Sequence, residues 1–186
     1  MDELQARLYR PDIGGYSNDI LPYYEVIAKW LPENAKIAEV GVYFGRSALF
    51  MAEQLVALNK KITFNCIDVW PKPHVLSEHK VNFMQMPSVD AANLIDDESL
   101  DFVFIDANHS YESVAEDIKA WFPKVRKGGI ISGHDYNDKE YMSFDPFYQI
   151  DYTMEIHLGV VKAVDEFFPK DAIKLPTRTV WEITKD

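Results

Sequence analysis

Cysteine is nearly missing from these 186 residues: Cys66 stands alone, so no internal disulfide can form. Its place in an apolar run points to a buried reduced thiol rather than a nucleophile. Long hydrophobic runs are missing too, since no stretch approaches the ~20 apolar residues that span a bilayer. The start, Met-Asp-Glu-Leu-Gln, carries no basic region followed by an apolar one, so neither secretion nor a membrane anchor is expected and the cytoplasm is the expected compartment. Positive charge is scarce. Nineteen Lys and Arg against 30 Asp and Glu leave a formal charge of −11, which repels a phosphate backbone and argues against nucleic acid as a partner. Internal repeats and low-complexity segments are also absent. What is present is core material: 47% hydrophobic residues suffice for one packed domain over residues 1–186.

Short apolar runs alternate with longer amphipathic ones, the pattern of βαβ units. Ile20, Leu21, Tyr24, Ile27, Ala28 and Leu31 form one helical stripe before Pro32, closing a helical lead-in over residues 1–35. Ile37 to Val40 reads as a strand, Ser47 to Leu58 as a helix packed on a sheet, and Ile62 to Asp68 as the second strand. Leu100 to Asp106 looks like a central strand. Ser110 stands where it can cap a helix over Tyr111 to Phe122, and Gly128-Gly129 then turns into Ile130-Ile131. A parallel, doubly wound α/β sheet is the economical reading.

Ligands of such sheets gather at the carboxyl ends of the strands. The first end reads Glu39-Val-Gly-Val-Tyr-Phe-Gly-Arg-Ser47, where Gly41 and Gly45 permit a tight turn and close approach of backbone to ligand. A dinucleotide fingerprint wants a middle glycine, and Tyr43 stands there instead, which counts against a nicotinamide dehydrogenase. Glu39, two residues before Gly41, suits the cationic amino group or sulfonium of an amino-acid-derived cofactor. Asp68, ending the second strand, can accept hydrogen bonds from both ribose hydroxyls of an adenosine ligand. A plain strand-turn-helix corner and a surface carboxylate are the bland alternatives for these two features.

Four strings carry a resemblance: Glu39 to Ser47, Cys66-Ile-Asp-Val-Trp70, Asp101-Phe-Val-Phe-Ile-Asp-Ala-Asn-His-Ser-Tyr111, and Gly128-Gly-Ile-Ile-Ser-Gly-His-Asp-Tyr136. They resemble class I S-adenosylmethionine-dependent methyltransferases of the Methyltransf_24 type, related to metal-dependent O-methyltransferases. The likeness runs from about Tyr16 to Tyr136 and resumes at Gly159 to Phe168. It implies a Rossmann-like doubly wound sheet of seven strands, order 3-2-1-4-5-7-6 with the last antiparallel. It also implies that Glu39, Gly41 and Ser47 line the methionine end of S-adenosylmethionine, with Asp68 at the ribose and Ser88 at the adenine edge. Gly45, Asp106 and His109 join the cofactor-binding set, and the acceptor is a small molecule with a hydroxyl oxygen.

Two stretches depart from the family pattern. Only ten residues, Pro71 to Lys80, connect Trp70 to Val81, which leaves the adenine pocket open or completed by another subunit of a homo-oligomer. Residues 137–158 are rich in aromatics and poor in aliphatics, as a substrate lid or a subunit contact would be.

Neighbouring strand ends bring Asp106, His134 and Asp135 to one edge, the expected catalytic group. By the resemblance these three positions hold a divalent metal, magnesium in the relatives, but imidazole suits softer ions better than hard magnesium. A metal-free site with His134 as general base stands beside that reading, with Asp106 as the rival base and an ordinary imidazole pKa of ~6.5 making His134 competent at neutral pH. His109 and Tyr111 belong to the site or simply cap and pack their helix. Beyond methyl transfer, a non-catalytic or non-methylating S-adenosylmethionine-binding protein would keep Gly41 and Asp68 without needing Asp106, His134 and Asp135.

Overall fold

The computed structural model describes residues 18–145, 150–154 and 156–186. The opening part of the expected lead-in, residues 1–17, lies outside the described residues. The elements in chain order are α1 (Ile20–Trp30), β1 (Lys36–Val40), α2 (Arg46–Ala57), β2 (Thr63–Asp68), β3 (Asn82–Gln85), α3 (Ser88–Ala92) and β4 (Leu100–Ile105). They continue with α4 (Tyr111–Trp121), β5 (Val125–Gly133), β6 (Tyr141–Asp145), β7 (Ile150–Met154), α5 (Leu158–Phe167) and β8 (Trp181–Thr184).

Alternation along the strands divides the core into two layers. On β4, Phe102 and Phe104 join the residues of α1 and α2, including Tyr24, Ile27, Leu49 and Met51, on one face of the sheet. Val103 and Ile105 join Ala92, Ile118, Trp121 and Val164 of α3, α4 and α5 on the other. Every residue of β4 is buried, as a strand covered by helices on both faces must be. Ser110 caps α4 as expected, its hydroxyl accepting from the Ser113 amide at 3.3 Å.

The main sheet has six strands in the order β3-β2-β1-β4-β5-β8, all parallel except β8, which runs antiparallel to β5. The order and the antiparallel strand are as expected, but among the described residues the count is six rather than seven. Where an outermost strand would lie beyond β8, the described residues form one isolated bridge, Lys174 with Glu182. Pro176 follows two residues later, and a proline cannot donate to a continuing ladder. Gly128 and Gly129 lie inside β5, beside the register shift between Leu100 and Phe102, rather than in a turn ahead of the strand. Residues 137–158 contain a separate antiparallel pair of β6 and β7, set between Asn137 and His157, whose backbones bond to each other. In the short connection 71–80 the chain forms one 3-10 turn, His74–Leu76, pinned by the fully buried Leu76.

Candidate functional site

The carboxyl ends of β1, β2, β4 and β5 open on a cleft of about 1020 Å³, the scale of a small-molecule site. Its floor is the loop after β1. Gly41 takes a left-handed φ of 87°, and a Cβ there would stand 2.0 Å from the backbone oxygen of Asp106, so only glycine lets β1 and β4 end this close together. Gly45, with φ 85°, opens α2, whose first-turn N–H groups face no helical carbonyl.

Asp68 clasps this loop. Its Oδ2 accepts from the amides of Val42 at 2.8 Å and Tyr43 at 2.7 Å, while Oδ1 accepts from Trp70 N at 2.9 Å. The rim above carries exposed aromatics: Tyr43 and Phe44 with ring centroids 3.9 Å apart, and Trp70 at 65% exposure. Ser88 lies on the cleft wall at the start of α3, its Oγ accepting from the Trp121 indole at 2.8 Å. Nearby Asp117, which sequence reasoning missed, is raised to about 6 by burial, with the Ser88 hydrogen bond opposing.

Glu39 sits behind this wall. It pairs in register with Cys66 and Phe104 and points into the layer under α1. Its oxygens are taken by Tyr24 Oη at 2.9 Å and Ser47 Oγ at 2.6 Å. Burial pushes its carboxyl up to about 8, the two hydrogen bonds only partly opposing. The carboxyl therefore holds Ser47, which does line the cleft, instead of opening onto the cleft itself.

Beside the glycine loop, imidazoles and carboxylates meet. Asp106 follows β4, His134 and Asp135 follow β5, and the strand register brings them together. His134 Nδ1 lies 3.2 Å from Asp135 Oδ1 and 3.8 Å from Asp106 Oδ1. Its Nε2 faces away from them, 2.9 Å from Asp19 Oδ1 and 3.0 Å from Thr179 Oγ1. Burial alone would lower the pKa of His134, but the carboxylates of Asp106, Asp135 and Asp19 outweigh it and hold the ring well above the usual imidazole value. The expectation of an ordinary pKa of ~6.5 at this position fails for that reason.

Asp135, at a left-handed φ of 59°, also receives two further imidazoles. His109 Nε2 lies 3.0 Å from its Oδ2, and His157 Nε2 3.8 Å from its Oδ1. Asp106, His134 and Asp135 present donor atoms within 4.8 Å of one another, and so do His109, Asp135 and His157. Sequence reasoning missed Asp19, Thr179 and His157. Asp19 stands at the N-cap position of α1 yet makes no capping bond with its side chain, so nothing local marks its use.

The comparisons with known proteins agree with this layout. Among curated proteins, the uncharacterized protein y4gI of Sinorhizobium fredii is 21% identical over 123 residues, covering 57% of this chain. The chain spans about 14% of the length of that relative. A solved structure from Corynebacterium glutamicum superposes with a TM-score of 0.67 at 17% identity, covering 100% of this chain and 90% of that one. The O-methyltransferase NovP gives 0.64 at 17% identity, over 90% and 79% of the two chains. MycE, a methyltransferase of the mycinamycin biosynthetic pathway solved with Mg and SAH, gives 0.63 at 19%, over 98% and 53%. At these identities the likeness is one of fold. The model of the Methyltransf_24 family, a methyltransferase domain, matches residues 38–136, which hold the glycine loop, Asp68, Asp106, His134 and Asp135. With more than half of its residues matched, the chain belongs to the Methyltransf_24 family of methyltransferase domains.

Proposed function

We propose that this chain binds S-adenosylmethionine in the cleft and transfers its methyl group to an oxygen of a small-molecule acceptor. The observation that carries the reading is the single cleft with the Gly41 loop and Asp68 at one side and the Asp106–Asp135 edge at the other, in a methyltransferase-family chain. Asp68, on the cleft wall at the end of β2, is assigned to the ribose hydroxyls, and Ser88, Asp117, Met86 and Val89 line a part-apolar end suited to a flat base. In the transfer an acceptor oxygen attacks the methyl carbon, the carbon–sulfur bond breaks with its electron pair returning to sulfur, and the acceptor proton leaves. Holding the two reactants in line supplies most of the acceleration.

The proton passes to the carboxylate edge, and Asp106 is the proposed acceptor. The carboxylates around His134 hold its pKa well above the usual imidazole value, which makes it a poor proton acceptor, so its part is to position Asp106 and Asp135. NovP, an O-methyltransferase, supports an oxygen acceptor, as does the cleft's own row of carboxylates and imidazoles. Magnesium accompanies MycE, yet the carboxylate edge here has an imidazole beside its two carboxylates, with Nε2 turned back to Asp19. Hard, octahedral magnesium prefers oxygen donors, so this set does not fit it. The hairpin between Asn137 and His157 leaves from the site edge and returns to it, and selection of the acceptor is assigned to it.

Two measurements test the reading. Calorimetry with S-adenosylhomocysteine should give a one-site isotherm, and a panel of phenols and sugars should reveal acceptors that release S-adenosylhomocysteine from S-adenosylmethionine. No heat at millimolar ligand would end the proposal, while tight binding with no transfer would favour a non-catalytic or non-methylating binding protein.

A further inference from the structure

Two imidazoles and a carboxylate converge beside the edge just described, and one of them, His157, comes from a part of the chain outside the family match. His109 follows β4 by four positions, Asp135 follows β5 by two, and His157 stands at the N-cap of α5. Gly159 makes the meeting possible. A Cβ on it would lie 2.4 Å from the backbone oxygen of His109 and 2.7 Å from Tyr111 N, so only glycine lets the first turn of α5 press against the start of α4. The amide of His157 donates to Asn137 O at 3.3 Å, tying that turn to the loop that follows β5 as well. The His109 and His157 rings meet edge to face, centroids 4.4 Å apart, with both Nε2 atoms turned to Asp135.

We propose that the chain holds a divalent transition metal, zinc in character, between His109 Nε2, the Asp135 carboxylate and His157 Nε2. Its use in methyl transfer rests on the reading above; its binding does not. Around an ion with bonds of about 2.1 Å, tetrahedral donors stand about 3.4 Å apart. His109 Nε2 lies 3.0 Å from one Asp135 oxygen and His157 Nε2 3.8 Å from the other, on either side of that value, and one donor atom from each of the three residues falls within 4.8 Å of the others. Two imidazoles and one carboxylate are a donor set for zinc, iron, nickel or copper and a poor one for magnesium. All three residues line the cleft, so the remaining coordination position faces the space where an acceptor would lie. His134 serves as the outer support: held from behind by Asp19 and Thr179, it hydrogen-bonds Asp135 and fixes the direction in which that carboxylate presents its oxygens.

The test is a calorimetric titration of chelator-stripped full-length protein with zinc and, separately, with magnesium, together with the visible absorption of the cobalt-substituted protein. Zinc should bind one to one and at least about 100-fold more tightly than magnesium, and cobalt should show the intense bands of a four-coordinate site. His157→Ala should weaken zinc by at least about 100-fold and quench those bands, while the melting temperature of the metal-free protein stays the same. Equal affinity for the two ions, or zinc binding indifferent to His157→Ala, would overturn the site. So would zinc lost in His134→Gln but kept in His157→Ala, which would move the ion to Asp106, His134 and Asp135. Titration with S-adenosylhomocysteine separates the two proposals: zinc binding through His157 without nucleoside binding overturns the transferase reading alone, and the reverse overturns the metal site alone.

Discussion

Asp19 reaches His134 across 115 positions of sequence, its Oδ1 2.9 Å from the buried Nε2, while its Oδ2 takes the hydroxyl of Thr179. Burial works to raise the Asp19 carboxyl, but His134 and Thr179 outweigh it and hold the group below its usual range. The imidazole is held above its own usual value. The contribution of the raised imidazole is complete below its unfolded pKa near 6.5 and fades as pH rises through its higher folded value. That of the lowered carboxylate is complete above 3.8 and fades as pH falls through its folded value.

Asp19→Asn should therefore cost about 3 kcal/mol where both groups are charged. Denaturant unfolding at a series of pH values should show the largest cost between about pH 4 and 7, shrinking toward either end. A cost that kept growing toward alkaline pH would contradict the pairing.

Glu39 titrates with the opposite consequence. With a folded value of about 8 against an ordinary 4.5, the folded protein keeps a proton that the unfolded chain gives up, so stability falls as pH rises from about 4.5 to 8 and then levels. The full loss is on the order of 5 kcal/mol. Glu39→Gln cannot ionise and can still meet Tyr24 and Ser47, so its melting temperature should lack most of that fall. Parallel slopes for the two proteins would show that Glu39 is ionised in the fold.

Asp68 has three backbone amides to satisfy before any ligand arrives. Asp68→Ala strands them and loosens the glycine loop, which should weaken S-adenosylhomocysteine binding by about 1–3 kcal/mol, or about 5- to 150-fold. Unchanged affinity by calorimetry would remove Asp68 from the cofactor site.

Asp106→Asn keeps the shape of the side chain and removes its basicity. With an acceptor in hand, the rate should fall ~10²–10⁴-fold while S-adenosylhomocysteine affinity changes little. Equal losses in rate and affinity would make Asp106 a binding group rather than the proton acceptor.

The sheet order came with the family resemblance, whereas the meeting of Asp106, His134 and Asp135 was legible because adjacent parallel strands end at the same edge, so strand-end residues meet even when far apart in sequence. The partners of His134 were not legible. Asp19 and Thr179 reach it across 115 and 45 positions, from a helix start and a loop whose spacing encodes no contact. His157 depends on the packing of α5 against α4 at Gly159, a tertiary fact without a local pattern. Glu39 shows a further limit: alternation along β1 tells which face a side chain takes, but burial under Tyr24 depends on how α1 lies across the sheet. In place of a seventh strand the described residues form one bridge at Lys174, and Pro176, two residues on, cannot donate to a continuing ladder.

The exposed indole at the cleft rim makes the chain its own optical probe. Trp121 and Trp181 are sealed in the core, and Trp30 closes α1, so Trp70 is the tryptophan whose hydration depends on what fills the cleft. An adenosine ligand settling beneath it would strip water from the ring and shift its emission to the blue. Occupancy can thus be followed by intrinsic fluorescence, with Trp70→Phe as the dark control, before any acceptor is known.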